Sequence, residues 1–241
     1  MKIGIMQPYF FPYLGYWQLM NAVDKYVVYD DVNFIKGGRI NRNAILMQQK
    51  PGNINVILSG ASPNKLIREV EVNNQRVLQT KLLRTIEMSY SKAPQYINVM
   101  PILEDIIMQV ETNLAEYLFY SFQRVGEYLG IETELIMSSK MDKDCSLKAH
   151  HKVISICKKL GATEYYNSIS GVPLYVPHIE EFQQAGIELS FLKMRDIRYR
   201  QYNDEFVPNL SIIDVMMFNS QEECQNLLQE YDLIKGSGIE L

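Results

Sequence analysis

The chain has 241 residues, of which 47% are hydrophobic and 22% charged, with a formal net charge of −4. This is ordinary globular composition on a length that can bury a sizeable core, so a disordered chain is excluded. The acidic balance argues against broad, non-specific nucleic-acid binding and leaves room for a local basic pocket.

No run approaches the roughly 18 consecutive apolar residues of a spanning helix, and residues 1 to 6 read as a strand rather than a secretory leader, so no membrane insertion is expected. Three widely spaced cysteines, Cys145, Cys157 and Cys224, suit a reducing compartment, and a cytoplasmic protein is expected. The histidines are His150, His151 and His178, and no cysteine pair has finger-like spacing. Only Cys145 with His150 and His151 lies close together in sequence, and no metal site is expected.

Met1 to Asp31 contains a short apolar run, a Gln-Pro-aromatic break, a glycine among aromatics, an amphipathic helix and a second apolar run ending at Asp30 and Asp31. This order writes a parallel βαβ unit. Ligands of open parallel sheets collect beyond the carboxyl ends of the strands, which makes Gln7, Pro8, Tyr9, Tyr13, Gly15 and Tyr16 candidate binding residues. The same aromatics beside prolines can also plug the gap between helix and sheet.

Residues 32 to 60 read as a small antiparallel insertion, with turns at Gly37-Gly38 and Pro51-Gly52 between runs rich in Ile and Val. The insertion groups Lys36, Arg39 and Arg42 with Asn41 and Asn43, a set suited to a diphosphate or a carboxylate. From about residue 75 to 130 the pattern turns helical: Val77, Leu78, Leu82, Leu83 and Ile86 share a face, Lys92-Ala93-Pro94 breaks the run, and Gly130 closes the last helix.

Ile131 to Met137 follows as a strand, then a helix over residues 146 to 160 with Ser146 as N-cap, a strand at Glu164 to Tyr166, a helix over residues 178 to 185 and the strand IELSFL. Ser211 is the expected cap of the last clear helix, with Asp214 at the capping-box offset. About five parallel strands with helices on both faces result. The expected architecture is a doubly wound, mostly parallel α/β sheet, Rossmann-like or HUP-like, forming one domain over residues 1 to 241.

Three further groups point to chemistry. Asp30 and Asp31 end a strand at the ligand edge, where a carboxylate can act as a general base or hold a hydroxyl; with Lys36 they are the candidate catalytic residues. Asn167, Ser168, Ser170 and Tyr175 follow a buried strand at the same edge. Tyr199 and Gln201 lie in a polar loop able to close over a sugar or nucleotide. There is no Walker motif, no G-x-G-x-x-G and no G-x-S-x-G elbow.

Four blocks, IGIMQPYFFPYLGYWQLM, DKYVVYDDVNFIKGGRINRNAI, LGATEYYNSISGVPLY and YRQYNDEFVPNLSIIDVM, spread over nearly the whole chain and together resemble the WbqC-like family. The resemblance implies a bacterial protein of O-antigen or other surface-polysaccharide biosynthesis with a glycine or aminoacyl transferase role. Tyr13-Leu14-Gly15-Tyr16 is also similar to the H-x-G-H start of HUP-type nucleotidylyltransferases, with tyrosines at both histidine places.

The expected function is therefore acyl or aminoacyl transfer to an amino sugar or nucleotide-linked sugar, with the sugar and the acyl or aminoacyl donor as small-molecule partners and no nucleic acid. The alternatives are an ATP-dependent amide-forming enzyme working through an acyl-adenylate, with ATP and magnesium as cofactors, and a non-catalytic module that binds a nucleotide sugar.

Overall fold

The computed structural model describes residues 1–239. Its first unit is a strand β1 (Lys2–Met6), a helix α1 (Leu14–Asn21) and a strand β2 (Lys25–Val28). β1 and β2 pair in parallel, with Ile3 opposite Lys25 and Met6 opposite Val28. Leu14 to Met20 of α1 are all buried, as befits a helix covered on every side. Its one fully buried amide, Gln18, donates to the carbonyls of Leu227 and Glu230.

The loop between β1 and α1 is locked from two directions. Phe11 sits at φ 42°, a conformation unfavourable for a side chain of this size. Asn43 Nδ2 donates to the carbonyls of Phe10 (3.1 Å) and Phe11 (2.7 Å), and the Ser211 hydroxyl donates to Phe11 at 2.8 Å. Gly15 lets the Tyr13 ring lie against the start of α1, since a Cβ there would meet the ring at 2.6 Å.

The insertion is the antiparallel hairpin β3 (Arg42–Met47) and β4 (Lys50–Asn55). Its turn is not at Pro51-Gly52, as the sequence suggests, but at Gln48 and Gln49, both at positive φ (46° and 66°) in the sense of a two-residue primed turn. Pro51 and Gly52 lie inside β4 opposite Leu46 and Ile45. Proline is tolerated there because β4 is an edge strand. A short pair, β5 (Leu58–Ser59) with β6 (Glu71–Val72), follows.

The middle segment forms α2 (Arg76–Tyr90), α3 (Tyr96–Ile107) and α4 (Leu114–Leu129). Asn113 caps α4 by accepting from the Ala115 and Glu116 amides, and Gly130 ends it at φ 71°. Then come β7 (Glu134–Met137), α5 (Ala149–Lys159), β8 (Glu164–Ser168), α6 (Val172–Tyr175), α7 (Ile179–Gln184), β9 (Glu188–Met194), α8 (Ile212–Phe218), α9 (Gln221–Leu227) and β10 (Tyr231–Lys235). Among the described residues no helix is long and apolar enough to cross a membrane.

Two expected caps differ. Ser146 does not cap α5: its amide and hydroxyl both donate to Asp144, and α5 starts three residues later without a side-chain cap. Ser211 does cap α8 at the Ile213 amide, but the Asp214 carboxylate turns inward to Tyr90 and Tyr199.

The central sheet has the order β10-β9-β8-β1-β2-β7. Five strands are parallel, and β10 closes one edge antiparallel to β9. Alternation along the strands fills both faces. Ile3, Ile5, Val27, Tyr165 and Phe191 pack with α5 and α7 on one side, and Tyr26, Val28, Tyr166 and Leu192 pack with α1, α4 and α8 on the other. A mixed α/β chain around a mostly parallel sheet is thus what the sequence predicts and what forms.

Asn43→Ala removes two of the three side-chain hydrogen bonds to the strained Phe10-Phe11 turn and leaves only the Ser211 bond to Phe11. It is expected to lower the unfolding free energy by about 1–3 kcal/mol, read from urea denaturation followed by circular dichroism.

Candidate functional site

The carboxyl ends of the parallel strands gather most of the expected residues. In sheet order the edge presents Met194 (β9), Ser168 (β8), Gln7 after β1, Asp30 and Asp31 after β2, and Ser138 after β7. The order of strands reverses between β8 and β1, where Asn167, Ser168 and Gln7 sit.

Asp30 is completely buried. Its Oδ1 accepts from the Ser139 amide at 2.9 Å, and its Oδ2 has no partner. Asp31 is almost as deep, with a side chain 7% exposed. Its Oδ2 lies 2.9 Å from Lys143 Nζ and 3.0 Å from Lys152 Nζ, and those two lysine side chains are only 2% and 9% exposed. Lys152 also donates to the Asp31 carbonyl at 2.9 Å and lies 5.0 Å from the Tyr29 ring centroid. Lys143 further donates to the Ser138 carbonyl.

Burial alone would raise the Asp31 carboxyl, but Lys143, the neighbouring Ser138 hydroxyl and Lys152 outweigh it and hold the group below the usual carboxylate range. Tyr29 is pushed up, first by burial and then by the Asp31 charge. The Ser138 hydroxyl lies beside the carboxylate and helps to hold its charge, and neither Ser138 Oγ nor Asp31 Oδ1 has another partner among the described residues. Buried polar atoms are rarely left without a partner, as Asp30 Oδ2 is.

The flanking candidates divide by what their polar atoms do. Gln7 is half-buried and its carbonyl accepts from the Tyr16 hydroxyl at 2.7 Å, which commits Tyr16 inside the core. Pro8 is buried, and the half-buried Tyr9 stacks at a tilt on Tyr16 with ring centroids 5.7 Å apart. Tyr9 is raised by burial and pulled back by Arg39, which puts the Arg39 charge beside the first loop.

Asn167 is buried and donates to the Tyr165 hydroxyl at 2.6 Å. The Ser168 and Ser170 hydroxyls pair at 2.7 Å, and Tyr175 packs edge-on against Tyr165. These residues form the end of β8 and the turn that follows it.

The basic cluster separates likewise. Arg42 folds back on the turn, donating to the carbonyls of Gly38 and Gly37. Asn41 donates to the Val56 carbonyl, and Asn43 serves the first loop. Arg39 is exposed and donates to Asn43 Oδ1 at 3.2 Å, and Lys36 is exposed with no side-chain hydrogen bond or ion pair among the described residues. Lys36 and Arg39 are the cations of this group left to meet a ligand.

Tyr199 and Gln201 are drawn into a buried network. Asp214 Oδ2 accepts from both at 2.7 Å, and Asp214 Oδ1 accepts from Tyr90. Tyr199 also lines, with Tyr13, a cavity of about 130 Å³ beyond the end of β9. A wider cleft of about 690 Å³ lies away from this edge, between the hairpin turn and α2, where Lys92 is the charged residue in its lining.

The WbqC-like protein family model matches residues 7–226, a span that takes in all the candidate site residues. The chain belongs to this family. It is similar to the uncharacterized protein Rv1507c of Mycobacterium tuberculosis, with 27% identity over 234 residues covering 95% of this chain and 97% of that one. No solved structure matches the chain.

Sequence reasoning reached the two aspartates from the strand end alone. It missed Lys143, Lys152 and Ser138, which come from the far half of the chain. A lysine at the fourth position of a helix whose neighbours are apolar, as Lys152 is before Val153 and Ile154, is the one local sign that its side chain points inward.

Asp31→Asn leaves two buried ammonium groups without their anion and is expected to cost about 3–5 kcal/mol at pH 7. The folded pKa of Asp31 is depressed, so its contribution is complete above the unfolded value of about 3.9 and is lost as the pH falls through the folded value. The stability gap between the native protein and Asp31→Asn should therefore stay constant from neutral pH down to about 5 and shrink below about 4, as read by urea denaturation at each pH.

Proposed function

We propose that the protein is a transferase of surface-polysaccharide (O-antigen) biosynthesis, moving an acyl or aminoacyl group, glycyl among them, onto the amine of an amino sugar or nucleotide-linked sugar. In this reading it works in the cytoplasm as a single α/β domain. Membership of the WbqC-like family supports this reading. The observation that carries the chemistry is the unpartnered Oδ2 of the fully buried Asp30 at the carboxyl edge of the sheet.

A carboxylate oxygen with a vacant lone pair accepts an N–H of the incoming amine. As the amine nitrogen attacks the acyl carbonyl, the C–N bond forms, the donor's leaving group departs with the electron pair of the broken acyl bond, and the amine proton passes to Asp30. Asp31, held as an anion between two lysines, is a poor base and acts as a positioning residue for the segment that faces Asp30. Gln7 and Asn167 flank the crevice, and Lys36 and Arg39 supply charge for the diphosphate or carboxylate of the bound substrate. Numbered along the main sheet in chain order, the strands run 3-2-1-4-5-6, which supports a Rossmann-like reading with the ligand at the reversal between β1 and β8.

Calorimetry with UDP- and dTDP-amino sugars, and separately with ATP and magnesium, tests the proposal. Sugar-nucleotide binding without ATP, followed by acyl transfer from an activated donor, supports it. Binding of ATP with release of AMP would move the protein to an acyl-adenylate route, and binding with no turnover on any donor would reduce it to a carrier. Asp30→Asn should lower turnover by roughly 100-fold or more with an unchanged circular dichroism spectrum. Full activity in that variant removes Asp30 from the mechanism.

A further inference from the structure

All three histidines of the chain meet at one carboxylate. His150 and His151 stand on the first turn of α5, His178 immediately precedes α7, and Glu181 is on α7. His150 Nε2 lies 3.1 Å from Glu181 Oε1, His178 Nδ1 3.2 Å from the same oxygen, and His151 Nδ1 3.3 Å from Oε2. The His150 and His178 rings stack with centroids 3.6 Å apart and planes 13° from parallel.

Two features set this group apart from a set of surface ion pairs. The stacked His150 and His178 rings aim one nitrogen each at the same carboxylate oxygen. The ligating atoms of His150, His178 and Glu181 all lie within 4.8 Å of one another. A tetrahedral ion with bonds of about 2.0–2.1 Å has ligand atoms separated by roughly 3.3 Å, close to the nitrogen–oxygen distances here. The local backbone is also bent to the arrangement: α5 begins without a side-chain cap, and Ala149, just before His150, sits at φ 47°.

We infer that His150, His178 and Glu181 form a binding site for a divalent transition ion of the Zn²⁺ class, with the fourth position left to water. Imidazole nitrogen with one carboxylate selects Zn²⁺, Co²⁺ or Ni²⁺ over Mg²⁺ and Ca²⁺, which take oxygen shells. The site is open to entry, since His178 and Glu181 have side chains 38% and 40% exposed. Cys145, the residue that sequence proximity would recruit, stays outside it, with its thiol directed to the Lys143 carbonyl. No local pattern announces this grouping, because His178 and Glu181 lie a strand and a helix away from the His150-His151 pair.

The site's position gives it a consequence for the neighbouring carboxylates. α5 starts beyond the carboxyl edge of the sheet and carries, two residues after His150, the Lys152 that grips Asp31. An ion on His150 and His178 pins the start of α5 to the start of α7, and so fixes the lysine. This inference stands independently of the transfer reaction.

Chelator-treated full-length protein titrated with Zn²⁺ alone in a calorimeter, and with Co²⁺ followed by visible d–d absorption, tests it. The expected result is one ion per chain, a tetrahedral Co²⁺ spectrum and no competition from excess Mg²⁺. His178→Ala and Glu181→Gln should each weaken Zn²⁺ binding by at least about 10-fold, while Cys145→Ser leaves it unchanged. Circular dichroism of the half-exposed variants checks their folding. Absence of saturable Zn²⁺ binding, equal affinity in Glu181→Gln and His178→Ala, or loss of binding in Cys145→Ser overturns the site.

Discussion

One carboxylate shared by two ammonium groups, all three nearly out of water, organises the carboxyl edge of the sheet. Asp31 binds Lys143 from the loop after β7 and Lys152 from α5, so the end of β2 is clasped to two segments from the far half of the chain. The desolvation cost of such a group offsets most of its attraction, and its net stability is small; taking away one member is what costs heavily. Its effect is to exclude other arrangements of the loops. Asp30 continues the clasp by accepting from the Ser139 amide, and its second oxygen is thereby held in a fixed place.

A second buried carboxylate, Asp214, has the opposite surroundings. Its partners are neutral donors, Tyr90, Tyr199 and Gln201, and burial keeps it above the usual carboxylate range despite them. Tyr90 also accepts from the Leu46 amide, which ties the hairpin to α2 and α8. The two aspartates show how environment divides roles: cations around Asp31 preserve its charge, and hydrogen-bond donors around Asp214 fill its lone pairs without neutralising it by charge. Each of the two joins elements that lie far apart in the sequence.

Much of the frame was legible in the sequence because buried parallel strands are short apolar runs and the helices between them carry a 3.6-residue period. IGI, YVV and SFL read as strands, and Val77 to Ile86 as a helix, for those reasons. The hairpin turn was not legible, because Gln48 and Gln49 adopt positive φ without glycine or asparagine to announce it. At the edge of the sheet, Asp30 and Asp31 could be placed by position, but their partners lie more than a hundred residues away and no local pattern joins them. Arg42 reads as an anion ligand in the sequence, and two of its donors face the carbonyls of its own turn. Tyr199 and Gln201 read as a mobile polar loop until Asp214 supplied an acceptor for both.

The place of β1 in the sheet sets the order in which the chain can be completed. Its neighbours are β2, some twenty residues on, and β8, with Lys2 opposite Glu164. On the ribosome one edge of β1, with its unpaired amides and carbonyls, stays open until residues 164 to 168 emerge, long after β2 has docked on the other edge. Pairing across such a separation closes a large loop late and makes folding slow relative to the local helices. The strand that anchors the ligand edge is thus the one whose partners arrive furthest apart in time, and half-made chains carry an exposed strand edge that needs shielding from other chains.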